Sequence, residues 1–347
     1  MINTPEIKEL PENFGLIYSE LLQQCWQAAP GGRGISFVKK NNKGRVYWYL
    51  QLTVGNRTSQ HYLGAESPEL LRQIEKQKNL WEASAPDKEK RQQLVGMLRA
   101  AGVPVLRGAE ARVLELLDES GIFIAGGVIV GSHAFSAYQQ MLGARWPGDI
   151  TKTMDVDISG SDALKIAVPE RKVDLRKSLI QANMGFFEVP MLDHRSPSTS
   201  YSIRGKQLKV DVIVPMHGKP NSEPVYLKPL NTYATPVRFL DYLLENTEPV
   251  VLLTPSGVLA HVPSPAHFAV HKLVLSQRRP AAESLKSKKD LAQSASVLSI
   301  LIRDRPDDIR AAVDDASQQP EKFWRQLKQG IKLLPDKITV DFPRMVD

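Results

Sequence analysis

Three aspartates and a glycine-serine turn are the residues of this chain whose types and spacing could do chemistry. Asp155 and Asp157 stand two apart in a run typical of a β-strand, so both carboxylates are expected on one face. Gly131-Ser132 follows an apolar run, 122 to 130, that is expected to be one buried strand, and Asp211 is centred in a later strand, 208 to 214. Carboxylates that converge in this way could hold divalent cations against a nucleoside triphosphate.

The glycine-serine turn is a weak signal when it is taken alone. The spacing from Gly126 to Gly131 is that of a phosphate-binding loop, but Ser132-His133 stands where such a loop needs Lys followed by Ser or Thr. There is no GxGxxG dinucleotide fingerprint, and no GxSxG elbow surrounds Ser132. A strand-turn-helix junction of this kind is more often structural than functional. The turn still offers close backbone approach and helix N-terminal amides to a phosphate.

The three aspartates together indicate a metal site more strongly than the Asp155–Asp157 pair does alone. An Asp-x-Asp pair is often a solvated strand face, but Asp211 lies between Val210 and Val212, in a strand expected to be buried on one face. A carboxylate in that setting is costly unless it is paired with cations. Because no Cys or His ligand pattern lies nearby, three acids favour two Mg²⁺ or Mn²⁺ ions. Asp155, Asp157 and Asp211 are therefore the candidate catalytic and metal-binding residues, and Gly131 and Ser132 the candidate nucleotide-binding turn.

With these residues in place, the chain resembles the nucleotidyltransferase superfamily typified by DNA polymerase beta. The resemblance lies in an apolar strand, Gly131-Ser132, a helix, the Asp155-x-Asp157 strand and a later acid, Asp211. More narrowly, residues 15 to 300 resemble a bacterial family of nucleotidyltransferase-fold proteins. The similar segments are Val130-Gly-Ser-His-Ala-Phe135, Thr153-Met-Asp-Val-Asp157, Val262-Pro-Ser-Pro-Ala-His-Phe268 and His271-Lys-Leu273.

The resemblance extends to two positions near the C-terminal end. A Pro-Ala-His-Phe-x3-Lys-Leu helix followed by Lys288-Lys-Asp290 is similar to toxin and abortive-infection nucleotidyltransferases. It implies that Lys272 contacts nucleotide phosphate and that Asp290 orients a lysine or the acceptor. The alternative for Lys272 is a lysine that extends along an apolar helix to solvent. His267 and His271, four apart, could bind metal, but satisfied core or capping histidines are the commoner case.

Composition limits the class of protein. The chain has 347 residues, 42% hydrophobic and 24% charged, which is typical of a globular protein with one large core or two to three smaller ones. No apolar run reaches the roughly 18 residues of a membrane span. The single cysteine, Cys25, excludes an intramolecular disulfide and a multi-cysteine metal site. The acidic, proline-containing N-terminal segment is unlike a signal peptide, so a cytoplasmic location without membrane partners is expected.

The order of predicted elements is α+β with an α/β core. Residues 1–100 are predicted to form an N-terminal module, in which strands 35 to 40, 45 to 54 and 57 to 63 precede helices 68 to 82 and 85 to 101. Residues 101–262 alternate strands and helices, which indicates a mixed nucleotidyltransferase sheet with flanking helices. Residues 263–347 are predicted to be a C-terminal helical domain. Its helices are expected at 265 to 277, 286 to 303, 306 to 315 and 320 to 329.

The N-terminal module carries basic and aromatic residues together. Between Leu21 and Ala65 there is no acid, and Tyr47, Tyr49 and Tyr62 lie among the cations. A small sheet of this composition could lie on phosphates and stack bases, or its tyrosines could simply form a small core. The candidate nucleic-acid-binding residues are Lys39, Lys40, Lys43, Arg45 and Arg57.

Three hypotheses follow for function. The first is a metal-dependent transferase that moves a nucleoside monophosphate from an NTP, such as ATP, to an acceptor hydroxyl. RNA, including a tRNA 3′ end, is the candidate acceptor, and the resemblance implies a toxin or phage-defence role with an antitoxin partner. The second is a non-catalytic nucleic-acid-binding protein with the same fold. The third is an enzyme of the same kind that modifies a protein or a small molecule.

Overall fold

The structure is a computed structural model. It describes residues 6–11, 14–27, 35–42, 44–54, 57–123, 126–147, 155–159, 173–191, 193, 195–206, 208–218 and 223–339.

The N-terminal third consists of helices around a small antiparallel sheet. The predicted strands at residues 35 to 63 are confirmed and pair in the order β2-β3-β4. One helix, α2, replaces the two that were predicted, and it continues through Pro86. The side-chain oxygen of Ser67 caps it by accepting from the Leu70 amide. The elements are β1 (Lys8–Glu9), α1 (Phe14–Gln27), β2 (Ile35–Asn42), β3 (Arg45–Val54), β4 (Arg57–Ala65) and α2 (Pro68–Ala100).

A mixed sheet of nine strands forms the centre of the chain. Its main path runs β11-β12-β10-β7-β5-β14-β13, and the hairpin of β8 and β9 joins it at β10. The strands are β5 (Val128–Val130), β7 (Asp155–Ser159), β8 (Phe186–Glu188), β9 (Ser200–Ile203), β10 (Lys209–Pro215), β11 (Val225–Leu227), β12 (Thr232–Val237), β13 (Thr247–Leu252) and β14 (Val258–Pro263). A short strand, β6 (Ala144–Arg145), pairs instead with β1. The intervening helices are α3 (Gly108–Glu119), α4 (Gly131–Met141), α5 (Leu175–Gln181) and α6 (Leu240–Leu244).

Along β10, one face of the sheet is buried and solvent reaches the other. Val210 and Val212 have no exposed surface, whereas Lys209 and Asp211, which alternate with them, are partly exposed. We call the second side the open face; it includes Lys209, Asp211 and the positions that share their side in the neighbouring strands. The mixed sheet with its helices confirms the predicted α+β class.

Two parts of the sheet differ from the sequence prediction. The apolar run 122 to 130 was expected to be one strand, but only Val128–Val130 is extended. Ile122 and Phe123 lie in a buried turn, and Gly127 passes so close that a β-carbon there would stand 2.9 Å from the Ile122 carbonyl oxygen. Close backbone approach at Gly127 and a left-handed φ of +94° at Gly126, rather than a strand, thus explain the two glycines. The strands β11 and β12 were not predicted.

The C-terminal helices match the prediction. They are α7 (Pro265–Ser276), α8 (Ser284–Asp304), α9 (Pro306–Ser317), α10 (Glu321–Ile331) and α11 (Asp336–Thr339), of which only the last was not expected. Helix α7 is buried along nearly its whole length and packs against α8, α9 and α10. Ser264 caps α7 by accepting from the His267 amide, and Pro265 occupies its first turn.

The first and last parts of the N-terminal region pack on the central sheet. Phe14, Tyr18 and Leu21 of α1 share a buried cluster with Leu98 of α2 and with Val251 of β13. The Tyr18 hydroxyl accepts from the Val251 amide at 3.2 Å. Burial raises the pKa of Tyr18 well above its usual value, so the phenol stays protonated.

The domain boundaries predicted at residues 100 and 262 remain predictions.

No helix in the described ranges is long and apolar enough to cross a membrane.

Candidate active site

Two of the three predicted acids lie side by side in the sheet. The register between the parallel strands β7 and β10 pairs Asp157 with Asp211, and that between β5 and β7 pairs Asp157 with Val130. Position 155 lies on the same face of β7, opposite Lys209. Neighbouring strands are about 4.8 Å apart. The fold therefore brings the three acidic positions and the end of β5 into a compact row across three strands.

The Asp211 carboxylate is held by two neighbours that sequence reasoning did not single out. Its Oδ1 accepts a 2.5 Å hydrogen bond from the Ser200 hydroxyl and lies 2.7 Å from Lys209 Nζ. The Asp211 side chain is 23% exposed. The Asp211 carboxylate therefore has a cationic partner, the Lys209 ammonium, on the same strand. Lys209 could have been found from the strand period, since it stands two residues before Asp211; Ser200 depends on the unpredictable pairing of β9 with β10.

The turn at Gly131 needs glycine. Gly131 opens α4 with a φ of +67°, a left-handed value that an L residue adopts only with strain. Val130 and Pro263 end two parallel strands, β5 and β14, and each is followed at once by a helix, α4 or α7. The N-termini of both helices consequently lie at one edge of the sheet, beside the acid row. Ser264 already caps α7, whereas no side chain among the described residues caps α4, so the first amides of α4 are the ones that favour an anion.

The residue after the turn, His133, faces inward. It is 3% exposed, and its Nε2 lies 2.7 Å from Oε1 of Glu110 in α3. Its Nδ1 has no hydrogen-bond partner. The contact ties α3 to α4, so that the helix carrying Ser132 is fixed against its neighbour.

Lys272 and Asp290 form a buried ion pair between α7 and α8. Lys272 Nζ donates to Asp290 Oδ1 at 2.6 Å, and Arg279 Nε donates to the other carboxylate oxygen at 3.0 Å. Lys272 also lies over the ring of Phe268, with its Nζ 5.3 Å from the centroid. Lys272 is 8% exposed, so the alternative of a lysine that reaches solvent is wrong. Asp290 does orient a lysine, as the resemblance implies; contact with nucleotide stays a prediction.

The neighbouring histidine is uncharged. His271 is fully enclosed, and burial, with the charge of Lys272 adding to it, lowers the pKa of His271 to about 3. Its Nε2 has no hydrogen-bond partner. Histidine at this position is part of the core of α7 and not a charged group of the site.

The other histidine of α7 belongs to a separate polar cluster. His267 Nε2 lies 2.9 Å from Oδ2 of Asp315 in α9, and its Nδ1 lies 2.9 Å from the Ser264 hydroxyl. With Glu245 these residues bring possible metal ligands within 4.8 Å of one another. Both ring nitrogens of His267 already have protein partners, so the cluster links α7 to α9. His267 is thus a satisfied core histidine, one of the two cases that the sequence favoured.

The candidate nucleic-acid-binding residues divide between two faces of the N-terminal sheet. The β2–β3 register places Lys40 and Arg45 on the face of Tyr47 and Tyr49, and Lys40 Nζ lies 5.1 Å from the Tyr49 ring centroid. Lys39 lies on the other face, opposite Trp48, and all three cations are exposed. Arg57 begins β4, and Lys43 lies outside the described residues.

Comparison with known proteins accords with this arrangement. The sequence pattern of the nucleotidyltransferase family matches residues 109–318, which contain the acid row, the Gly131 turn and the Lys272–Asp290 pair. The chain belongs to the nucleotidyltransferase family. The predicted family resemblance is therefore confirmed.

No functionally curated protein matches the sequence of this nucleotidyltransferase. A crystal structure of an antigenic nucleotidyltransferase-like protein from Paracoccidioides brasiliensis is similar at 15% identity, over 65% of this chain and 95% of that one. Its TM-score is 0.32, which is too low to support any argument about this chain.

Proposed function

We propose that this nucleotidyltransferase transfers a nucleoside monophosphate from an NTP to an acceptor hydroxyl, with release of pyrophosphate, at the row formed by Asp155, Asp157 and Asp211. The observation that carries the proposal is the sheet register, which aligns Asp157 with Asp211 and with the end of β5. That alignment puts the Gly131-Ser132 turn beside the acids. Phosphates and carboxylates must meet at one point for this reaction.

The residues of the row fit a divalent cation. Carboxylate oxygens are the ligands that Mg²⁺ and Mn²⁺ prefer, and the Asp211 carboxylate already has a cationic partner in Lys209. Asp155, Asp157 and Asp211 would hold two such ions. When bound, ions of this kind would offset charge on the triphosphate and make the acceptor hydroxyl more acidic.

The chain's own groups would position the reactants. The α4 amides and the Ser132 hydroxyl would donate to phosphate oxygens, which glycine at position 131 lets approach closely. Asp211, held in place by Ser200, would accept the proton of the acceptor hydroxyl. Lys272, oriented by Asp290, would contribute positive charge toward the phosphates.

The test is transfer of label from α-³²P NTPs, with Mg²⁺, to total RNA and to total protein. We expect labelled RNA with the wild-type chain and a loss of roughly 100-fold or more in Asp157→Asn and Asp211→Asn. The matched control is Asp241→Asn, an exposed acid on α6, which should keep full activity. Label that persists in both active-site variants, or no labelled product from any pool, would contradict the proposal.

The same assay separates the other candidate functions. Label that enters only protein or a small molecule moves the proposal to that acceptor. Nucleic-acid binding that survives both aspartate substitutions, without any transfer, is what a non-catalytic protein of this fold would show. A toxin role depends on the resemblance around Lys272 and Asp290; it requires growth arrest on expression of wild type but not of Asp157→Asn.

A further inference from the structure

The open face continues beyond the acids to three exposed aromatic side chains. Phe187 of β8, Tyr226 of β11 and Tyr233 of β12 are 37%, 49% and 37% exposed, respectively. Single exposed aromatic residues are common on protein surfaces and need no explanation. These three differ because the strand registers place them on the same face of the sheet as Asp211, one strand from β10 for Tyr233 and two strands from it for Tyr226 and Phe187.

Phe187 is aligned with the acidic end of β7. The registers connect Asp155 to Lys209, Lys209 to Ser202, and Ser202 to Phe187, so the four residues form one row across β7, β10, β9 and β8. Three strand spacings make this row about 14 Å long, which is the length of about four stacked nucleotides at roughly 3.4 Å each. The aromatic ring thus lies within reach of a chain whose end is at the acids.

The two tyrosines form a supported pair. Their ring centroids are 5.2 Å apart. The Tyr226 hydroxyl donates to Asn231 at 2.7 Å, and the Asn231 amide donates to Asp174 at 2.8 Å. The start of β12 is fixed to β9 by a 2.7 Å hydrogen bond between the Tyr201 and Thr232 hydroxyls. The pair is therefore held in place on the same side of the site as Phe187.

Charge around these rings favours a polyanion. The guanidinium carbon of Arg204 lies 5.7 Å from the centroid of the Phe187 ring. Lys206, in the turn between β9 and β10, is exposed. The sequence from residue 173 to 238, which includes β8 to β12, contains nine Lys and Arg against five Asp and Glu. Aromatic rings interleaved with cations are the usual means of binding single-stranded nucleic acid.

We propose that the acceptor is a single-stranded nucleic acid, whose last bases stack on Phe187 and on the Tyr226–Tyr233 pair while its 3′-terminal hydroxyl lies at Asp211. The inference rests on the proposed function, since it names that reaction's acceptor. Stacking on a ring needs no particular base, so the surface would select an unpaired end and not a sequence. A duplex, whose bases are already stacked, would gain nothing from these rings.

Binding without NTP tests the inference separately from catalysis. The probe is a fluorescein-labelled 12-nucleotide single-stranded RNA of mixed sequence, followed by anisotropy, with a duplex of the same length for comparison. We expect Phe187→Leu and Tyr233→Leu each to raise Kd by roughly 5- to 150-fold, the range for loss of one stacked base. Phe187→Tyr and Tyr233→Phe keep a ring and should bind as the wild type does. Trp26→Ala removes a 61% exposed ring from α1 and is the matched control.

The outcomes separate the two proposals. Weaker binding in both leucine variants, with normal binding in the ring-preserving variants and in Trp26→Ala, supports the stacking surface. Unchanged binding in both leucine variants overturns it, even if label still enters RNA, in which case the proposed reaction stands. Preference for the duplex, or label that enters only protein, likewise overturns it. If stacking is observed but the wild type transfers no label, the stacking surface is supported and the proposed reaction is contradicted.

Discussion

At the scale of single residues, the candidate site is distinguished by how the Asp211 carboxylate is held. Asp211 shares Oδ1 between the Ser200 hydroxyl and the Lys209 ammonium, so its position is set from two strands. Lys209, two residues before Asp211 on the same strand face, also offsets the negative charge of the acid row when no other cation is bound. The pairing explains how a carboxylate can stand in a strand whose alternate residues are fully buried.

His271 gives the clearest prediction of pH dependence at this scale. Its folded pKa, about 3, is below the unfolded value near 6.5, so between these values the unfolded chain binds a proton that the folded chain does not. Its contribution to stability is therefore complete above pH 6.5 and is lost as pH falls below it. From pH 7 to pH 5 we expect a loss of about 2 kcal/mol in unfolding free energy from this residue.

Urea denaturation at the two pH values measures this loss. His271→Leu should show a smaller difference between pH 7 and pH 5 than the wild type, whatever its absolute stability. Four neighbouring charges also affect the pKa of His271: those of Lys272, Asp290, Arg278 and Arg279. The comparison is valid because the variant retains all of them. His217→Gln, at an exposed position, should keep the wild-type difference. An unchanged difference in His271→Leu would show that this histidine does not resist protonation.

At the scale of elements, the glycine that opens α4 has a testable role. Gly131 has a φ of +67°, so Gly131→Ala should cost about 1–3 kcal/mol of stability and reduce transfer, because the turn beside the acids must shift. Gly96 is the matched control: it is exposed inside α2, and a β-carbon there would meet nothing within 4 Å. Gly96→Ala should stabilise the chain by roughly 0.5–1 kcal/mol. Thermal unfolding of the two variants would contradict this account if both shifted in the same direction.

Sequence patterns predicted most elements but not how they pair. The period-2 alternation at 208 to 214 and the capped apolar helix at 265 predicted β10 and α7 correctly, because both signals are local. The strand expected at 122 to 130 was too long, since an apolar run is equally typical of a buried turn. Ser200, Phe187 and Tyr233 reach the open face through pairings between distant segments, and no local signal contains that information.

At the scale of the whole molecule, the N-terminal sheet is connected to the catalytic part by packed elements at both ends. Before it, β1 pairs with β6 and α1 packs against β13; after it, the last turns of α2 enter the same cluster as α1. The basic N-terminal sheet contributes to the chain's net charge of +7, and a hydrophobic core attaches it to the rest of the fold. A long acceptor that contacts this sheet and the open face would be bound more tightly than by either alone.

The salt dependence of binding tests whether the basic sheet contributes. Each phosphate contact on a single strand changes the slope of log K against log salt by about 0.7, so Lys40→Ala/Arg45→Ala should reduce the slope by about 1.4. These two residues share the face of Tyr47 and Tyr49, whereas Lys39 lies on the opposite face. Lys39→Ala should therefore leave the slope unchanged, although it removes the same charge. Anisotropy titrations with a 40-nucleotide single-stranded RNA at several salt concentrations would measure both, and equal slopes for all variants would mean that the tyrosine face does not contact the strand.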